Sequence, residues 1–115
     1  MLDKRTEKAF LGKARHNLKN PVNAILGYSE MLIEDCEDHD SLGPISDLEK
    51  INSAGHEIVH HIDNVFNDER LEKRSSGQIN KFGEEIEVAI RIPLNSILGY
   101  TEMLLEDEHT EIENF

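Results

Sequence analysis

Apolar residues recur along the first third of the chain in alternating steps of three and four. Leu11, Ala14, Leu18, Pro21, Ile25, Tyr28 and Leu32 form a heptad seam, and Val22, Leu26 and Ile33 widen it along one side. A stripe this broad predicts a bundle helix over residues 7–37 rather than one strand of a narrow two-stranded coil. Residues 38–43 are polar and end in glycine, and Pro44 suits the first turn of a following helix. The period resumes through Leu48, Ile51, Gly55, Ile58, Ile62 and Val65, with Val59 and Phe66 alongside, and predicts a second helix over 44–71. A glycine inside a helix costs roughly 1 kcal/mol relative to alanine, so Gly55 implies close backbone approach. The short loop makes these helices an antiparallel hairpin. Two helices cannot bury stripes this wide by themselves. The simplest remedy is a second copy, giving an all-α, dimeric four-helix bundle about a two-fold axis.

Residues 73–81 (KRSSGQINK) lose the period and read as a linker. The chain then repeats itself. Residues 21–35, PVNAILGYSEMLIED, reappear at 93–107 as PLNSILGYTEMLLED, and Phe10 is matched by Phe82 at the same offset. A third long helix is therefore expected from near residue 83, with the seam Ile86, Ile90, Pro93, Ile97, Tyr100 and Leu104. Both seam tyrosines, Tyr28 and Tyr100, are expected in the core. The copy breaks off at Phe115, where its inter-helix loop would follow, so the sequence is expected to be one piece of a longer protein. The organisation is thus a hairpin over 1–72, a linker over 73–81 and a partial second copy over 82–115.

Composition narrows the function. With 115 residues, 5% aromatics and no tryptophan, the chain has one thin bundle's worth of core. A net charge of −12 argues against a nucleic-acid surface. No apolar run approaches the roughly 20 residues of a membrane span, and no signal peptide opens the chain. The single cysteine, Cys36, forms no internal disulfide, is read as inert, and fits a reducing, cytoplasmic setting. Charge is unevenly spread: residues 1–20 carry six basic side chains against two acidic ones, a net of +4, which leaves −16 for the rest. A basic end on an acidic chain raises local phosphate concentration.

That end holds the candidate chemistry. His16 lies two positions past the seam residue Ala14 and so faces solvent, with Asn20 one turn later on the same face. An exposed imidazole can attack the terminal phosphate of ATP in line and form a phosphoramidate, and the same exposure lets a partner's aspartate collect the phosphoryl group. An amide one turn away can position a water for the reverse, hydrolytic task. Lys13, Arg15 and Lys19 bring positive charge to the same stretch. Pro21 removes the hydrogen bond to the carbonyl of Asn17, which places a kink or a loosened turn directly after the acceptor.

The run from Phe10 to Tyr28, ending in HNLKNPVNAILGY at 16–28, closely resembles the H-box of sensor histidine kinases, and LEKINSAGHEIVHHIDN at 48–64 resembles the second helix of their dimerisation and phosphoacceptor domain. The resemblance covers residues 7 to about 72, with a partial second match over 82–110. It implies that His16 is the phosphorylated histidine and that Asn20 occupies the position used for dephosphorylating a response regulator. Lys19 matches the usual basic residue before it. Asn17 departs from the pattern, which has an acidic base after the histidine. Asn17 cannot accept a proton, which weighs against autophosphorylation more than against accepting or returning a phosphoryl group. In the second copy Val88 and Ile92 stand where His16 and Asn20 stand in the first, so that copy resembles the fold and lacks the chemistry. The resemblance implies a homodimer, a response-regulator receiver domain as partner, and ATP and magnesium supplied through a separate ATP-binding kinase domain, in cis or in trans. No cofactor or metal is expected on this chain.

Other readings are weaker. His56, His60 and His61 include an i, i+4 pair but lack the carboxylates or cysteines of a metal site. Glu34, Asp35, Glu37 and Asp38 lack the spacing of a calcium loop and read as a solvated helix end. The chief alternative is a dimerisation and transmission module without phosphoryl chemistry, attached to another output domain such as a nucleotide cyclase. The dead second copy and Asn17 favour it.

Overall fold

The computed structural model describes residues 3–67 and 79–113, which form three long helices: α1 (Lys4–Asp38), α2 (Ile45–Val65) and α3 (Ile79–Glu113). The all-helical class agrees with the apolar period. α1 starts three residues earlier than the period alone indicates because Asp3 caps it. The Asp3 carboxylate accepts the Thr6 backbone N–H at 2.7 Å, satisfying one of the donors that a helix start leaves unpaired. That hydrogen bond holds the Asp3 carboxyl below the usual carboxylate range. At the other end the chain reverses through Asp40, the one non-glycine at positive φ (54°) among the described residues.

α1 runs through Pro21 as one helix, and Pro21 lies on its exposed side. α2 is shorter than expected, ending at Val65 rather than near residue 71. Phe66 turns into the core (4% exposed) and its N–H closes the helix on the Ile62 carbonyl. Asn67 Nδ2 then donates to the Asn64 carbonyl at 3.1 Å, one of the acceptors the last turn leaves open. Burial of Phe66 thus overrides the residual period. α3 begins at Ile79 and takes in the last three residues of the expected 73–81 linker, whose remaining residues, 73–78, lie outside those described.

α2 is the central helix. α1 and α3 flank it, each antiparallel to it, in a body 60 × 22 × 16 Å. Asn52 bonds to Ser29 while Asp63 meets Arg15, which fixes the α1–α2 direction. Lys50 lies over the Tyr100 ring while Val65 stands beside Lys81 and Glu84, which fixes that of α2 and α3. Ile58 (2%) and Ile62 (1%) are the most deeply buried residues of a core that also takes Leu11 and Val22 from α1 and Ile86 and Ile97 from α3.

The two copies do not pack alike. α1 turns Val22, Leu26 and Ser29 toward α2, leaving Pro21, Tyr28 (67% exposed) and Leu32 in the open. The expectation that Tyr28 is core is therefore corrected: the seam is wider than one neighbouring helix can cover, and α2 takes the opposite flank. Tyr100 is half-buried beneath the Lys50 ammonium, 5.0 Å from its ring centre.

Gly55 marks a close approach of α1 and α2. A Cβ there would lie 2.8 Å from Leu26 Cδ2. That atom ends a flexible, half-buried side chain, so Gly55→Ala is expected to be near neutral. The helix-propensity gain of roughly 1 kcal/mol offsets the shift of Leu26. Gly55→Ile drives a branched chain into the helix contact and is expected to cost about 2 kcal/mol. Urea unfolding of the two variants checks the sign and the order.

Candidate functional site

Five polar residues between positions 15 and 20 of α1 divide between two sides of the helix. Arg15 and Lys19 point toward α2, and His16, Asn17 and Asn20 point to solvent. The division follows from 3.6 residues per turn: i and i+4 share a face, so Arg15 pairs with Lys19 and His16 with Asn20. None of the exposed three makes a side-chain hydrogen bond to another described residue. His16 therefore offers a ring free of partners, with the Asn20 amide one turn beyond it and Pro21 immediately after.

Arg15 and Lys19 converge on one carboxylate. Asp63 Oδ1 accepts from Arg15 Nη2 at 2.8 Å, from Arg15 Nε at 3.2 Å and from Lys19 Nζ at 2.9 Å. Partial burial pushes the Asp63 carboxyl up, but hydrogen bonds from Lys19 and Arg15, with their two charges, outweigh it and hold the group below its usual range. The arrangement clamps the histidine-bearing turn of α1 onto α2, and it directs these two cations away from the His16 face. Lys13 stays exposed. Sequence reading missed Asp63. The available signal was a single carboxylate among the histidines and asparagines that end α2, at the level that antiparallel pairing gives to residues 15–19.

A depressed carboxyl contributes stability above its unfolded value, and that contribution is lost as pH falls through the lower folded value. Asp63→Asn is therefore expected to destabilise the hairpin at neutral pH. With side chains 27–38% exposed on all three partners, the loss is held to about 1 kcal/mol by solvent screening. The difference between the two proteins should shrink in high salt and vanish in acid below the folded value of Asp63. Thermal melts across pH and salt check it.

In the second copy Glu87 and Arg91 replace Arg15 and Lys19 and pair with each other at 2.9 Å, so no clamp to α2 is repeated. Val88 (70% exposed) and Ile92 (76%) take the places of His16 and Asn20, and that face has no ionisable side chain at either position. The α2 histidines are dispersed. His56 faces Glu30 at 3.9 Å, His60 shares a 3.0 Å hydrogen bond with Asn64, and His61 lies 3.8 Å from Glu57. Among the described residues no three metal-type side chains converge. Cys36 is a half-buried free thiol, and Glu34, Asp35, Glu37 and Asp38 spread over the exposed end of α1. No described helix is long and apolar enough to cross a membrane.

The arrangement can present a nucleophilic nitrogen to an incoming phosphoryl group and then to a second protein. Among the described residues no carboxylate pairs with that nitrogen. Residues 6–74 match the family model of the His Kinase A (phospho-acceptor) domain. No curated protein and no solved structure matches the chain.

Proposed function

The chain belongs to the His kinase A phospho-acceptor domain family, whose role in histidine kinases is phospho-acceptance and dimerisation, and from that premise we propose that His16 receives a phosphoryl group and passes it to the aspartate of a response-regulator receiver domain. The observation that carries this reading is the exposure of His16, without a side-chain partner, on a face shared with Asn20.

A nitrogen of the His16 ring attacks phosphorus in line with the leaving oxygen, and the ring sheds its N–H proton to solvent or to a group on the partner, because Asn17 holds no basic lone pair. ATP and magnesium would be held by a separate ATP-binding domain, and there would supply the phosphoryl group and offset its charge. The clamp at Asp63 fixes the height of the turn on α2, so that a docking domain meets the ring in one position. Asn20 holds a water for the hydrolytic direction. The setting is cytoplasmic, as two-component signalling requires, and the working unit is a homodimer.

The test is to supply the chain with a histidine-kinase ATP-binding domain and labelled MgATP, and separately with receiver domains charged by acetyl phosphate. Label that is acid-labile and base-stable is expected, stronger from the receivers than from ATP. If neither donor labels the chain while a complete phospho-acceptor domain is labelled beside it, the reading fails. Asn17 gives specific support to a second reading, signal transmission without phosphoryl chemistry. Normal signalling by a His16→Gln variant of the intact protein would decide for it.

A further inference from the structure

Residues 21–35 and 93–107 repeat at an offset of 72, so each residue keeps the same spacing to its neighbours on its own helix, and the packing of α1 and α3 can be compared position by position. α3 seats Pro93, Ile97 and Tyr100 on α2: Pro93 is buried, Ile97 is 5% exposed, and Tyr100 is half-buried under Lys50. On α1 the same residue types form a stripe at Pro21, Ile25 and Tyr28: Pro21 and Tyr28 are exposed, and Ile25 is half-buried against the chain's own core beside Gly55 of α2. Leu32 extends the stripe at 49% exposure, whereas its equivalent Leu104 is half-buried against the core.

The molecule thus shows what this surface packs against. Pro, Ile, Tyr and Leu in one spacing bind α2 when α3 carries them, and α1 carries the same four. The chain's own α2 reaches this stripe only at the inner edge of Ile25, because it covers the other flank of α1, where Leu26 meets Gly55 and Ser29 meets Asn52. We propose that the open α1 stripe docks on the α2 of a second copy of this chain, in the place that α3 now holds, so that α3 is a built-in competitor of the dimer. In a two-fold pair each α1 covers its partner's α2 and each α2 releases its own α3. The intramolecular arrangement has the advantage of tethering, an effective concentration on the order of millimolar, and it prevails at micromolar chain. The closed chain presents one acceptor histidine, since Val88 replaces the second, whereas the exchanged pair presents two. The inference rests on the dimerisation part of the reading above. It does not depend on phosphoryl transfer at His16, and its test uses no phosphoryl label.

Sedimentation equilibrium over a range of concentrations reads the dimer dissociation constant. Ile97→Glu drives α3 off α2 and is expected to tighten the dimer by on the order of tenfold or more, because the competent open state becomes the populated one. Tyr100→Glu, at a half-exposed site, should do the same more weakly and covers the case in which Ile97→Glu loses helix content. Adding Tyr28→Glu to either variant should return it to single-chain mass with its circular dichroism unchanged. A dimer no tighter in both α3 variants than in the parent chain overturns the proposal, and so does a dimer that survives Tyr28→Glu.

Discussion

His16→Gln is expected to abolish phosphoryl labelling from either donor, to less than about one-hundredth of the parent chain. Glutamine keeps a polar side chain of similar reach but carries no nitrogen lone pair that can be phosphorylated. Because His16 is exposed and makes no side-chain hydrogen bond, its removal leaves no unsatisfied group, and helix content and unfolding midpoint should move little. That separation gives the experiment its force. A label lost together with stability would mean only that the hairpin had come apart, and a label retained at full strength would put the chemistry on another histidine.

Asn17→Glu carries the opposite sign. The substitution places a carboxylate next to the acceptor, at an exposed position where its charge costs little, and a general base contributes roughly 10²–10⁴-fold to a proton-coupled step. Labelling from ATP through a supplied ATP-binding domain should rise by about two orders of magnitude. Labelling from a phosphorylated receiver should change by only a few-fold, since the receiver's own acidic groups surround that step. Initial rates from both donors, measured on the same variant, check the split. Equal acceleration of both would assign Asn17 a role in docking rather than in proton transfer.

The helical hairpin was legible in the sequence because a period of three and four encodes a face, and a shared face needs no coordinates to be recognised. The exposed placement of His16 and Asn20 followed from the same geometry, two positions off the seam. Other features depended on which of two competing contacts won. The period places Phe66 beside the seam, but nothing in the order of residues says that its burial ends α2 at Val65. The period likewise places Tyr28 and Tyr100 alike on a seam, yet α2 covers only one flank of each helix, the one with Val22, Leu26 and Ser29 on α1 and the one with Pro93, Ile97 and Tyr100 on α3. Asp63 escaped notice for a related reason. A lone carboxylate acquires meaning only when antiparallel pairing sets it between Arg15 and Lys19.

The Asp63 clamp and the open α1 stripe bear on the same turn of helix. The clamp holds the backbone below His16 against α2, while Pro21, one residue past Asn20, begins the stripe that a second chain is proposed to cover. Occupation of that stripe would load the proline-weakened turn directly, giving a physical route from association to acceptor presentation.

The most direct test of the account is to locate the phosphoryl group itself. The chain has six histidines, at positions 16, 39, 56, 60, 61 and 109, so a labelled protein digested at neutral to alkaline pH and sequenced by mass spectrometry distinguishes them without mutation. The account predicts the modification on His16. Phosphate found instead on His56, His60 or His61, or on no histidine in a chain that carries label, would contradict it.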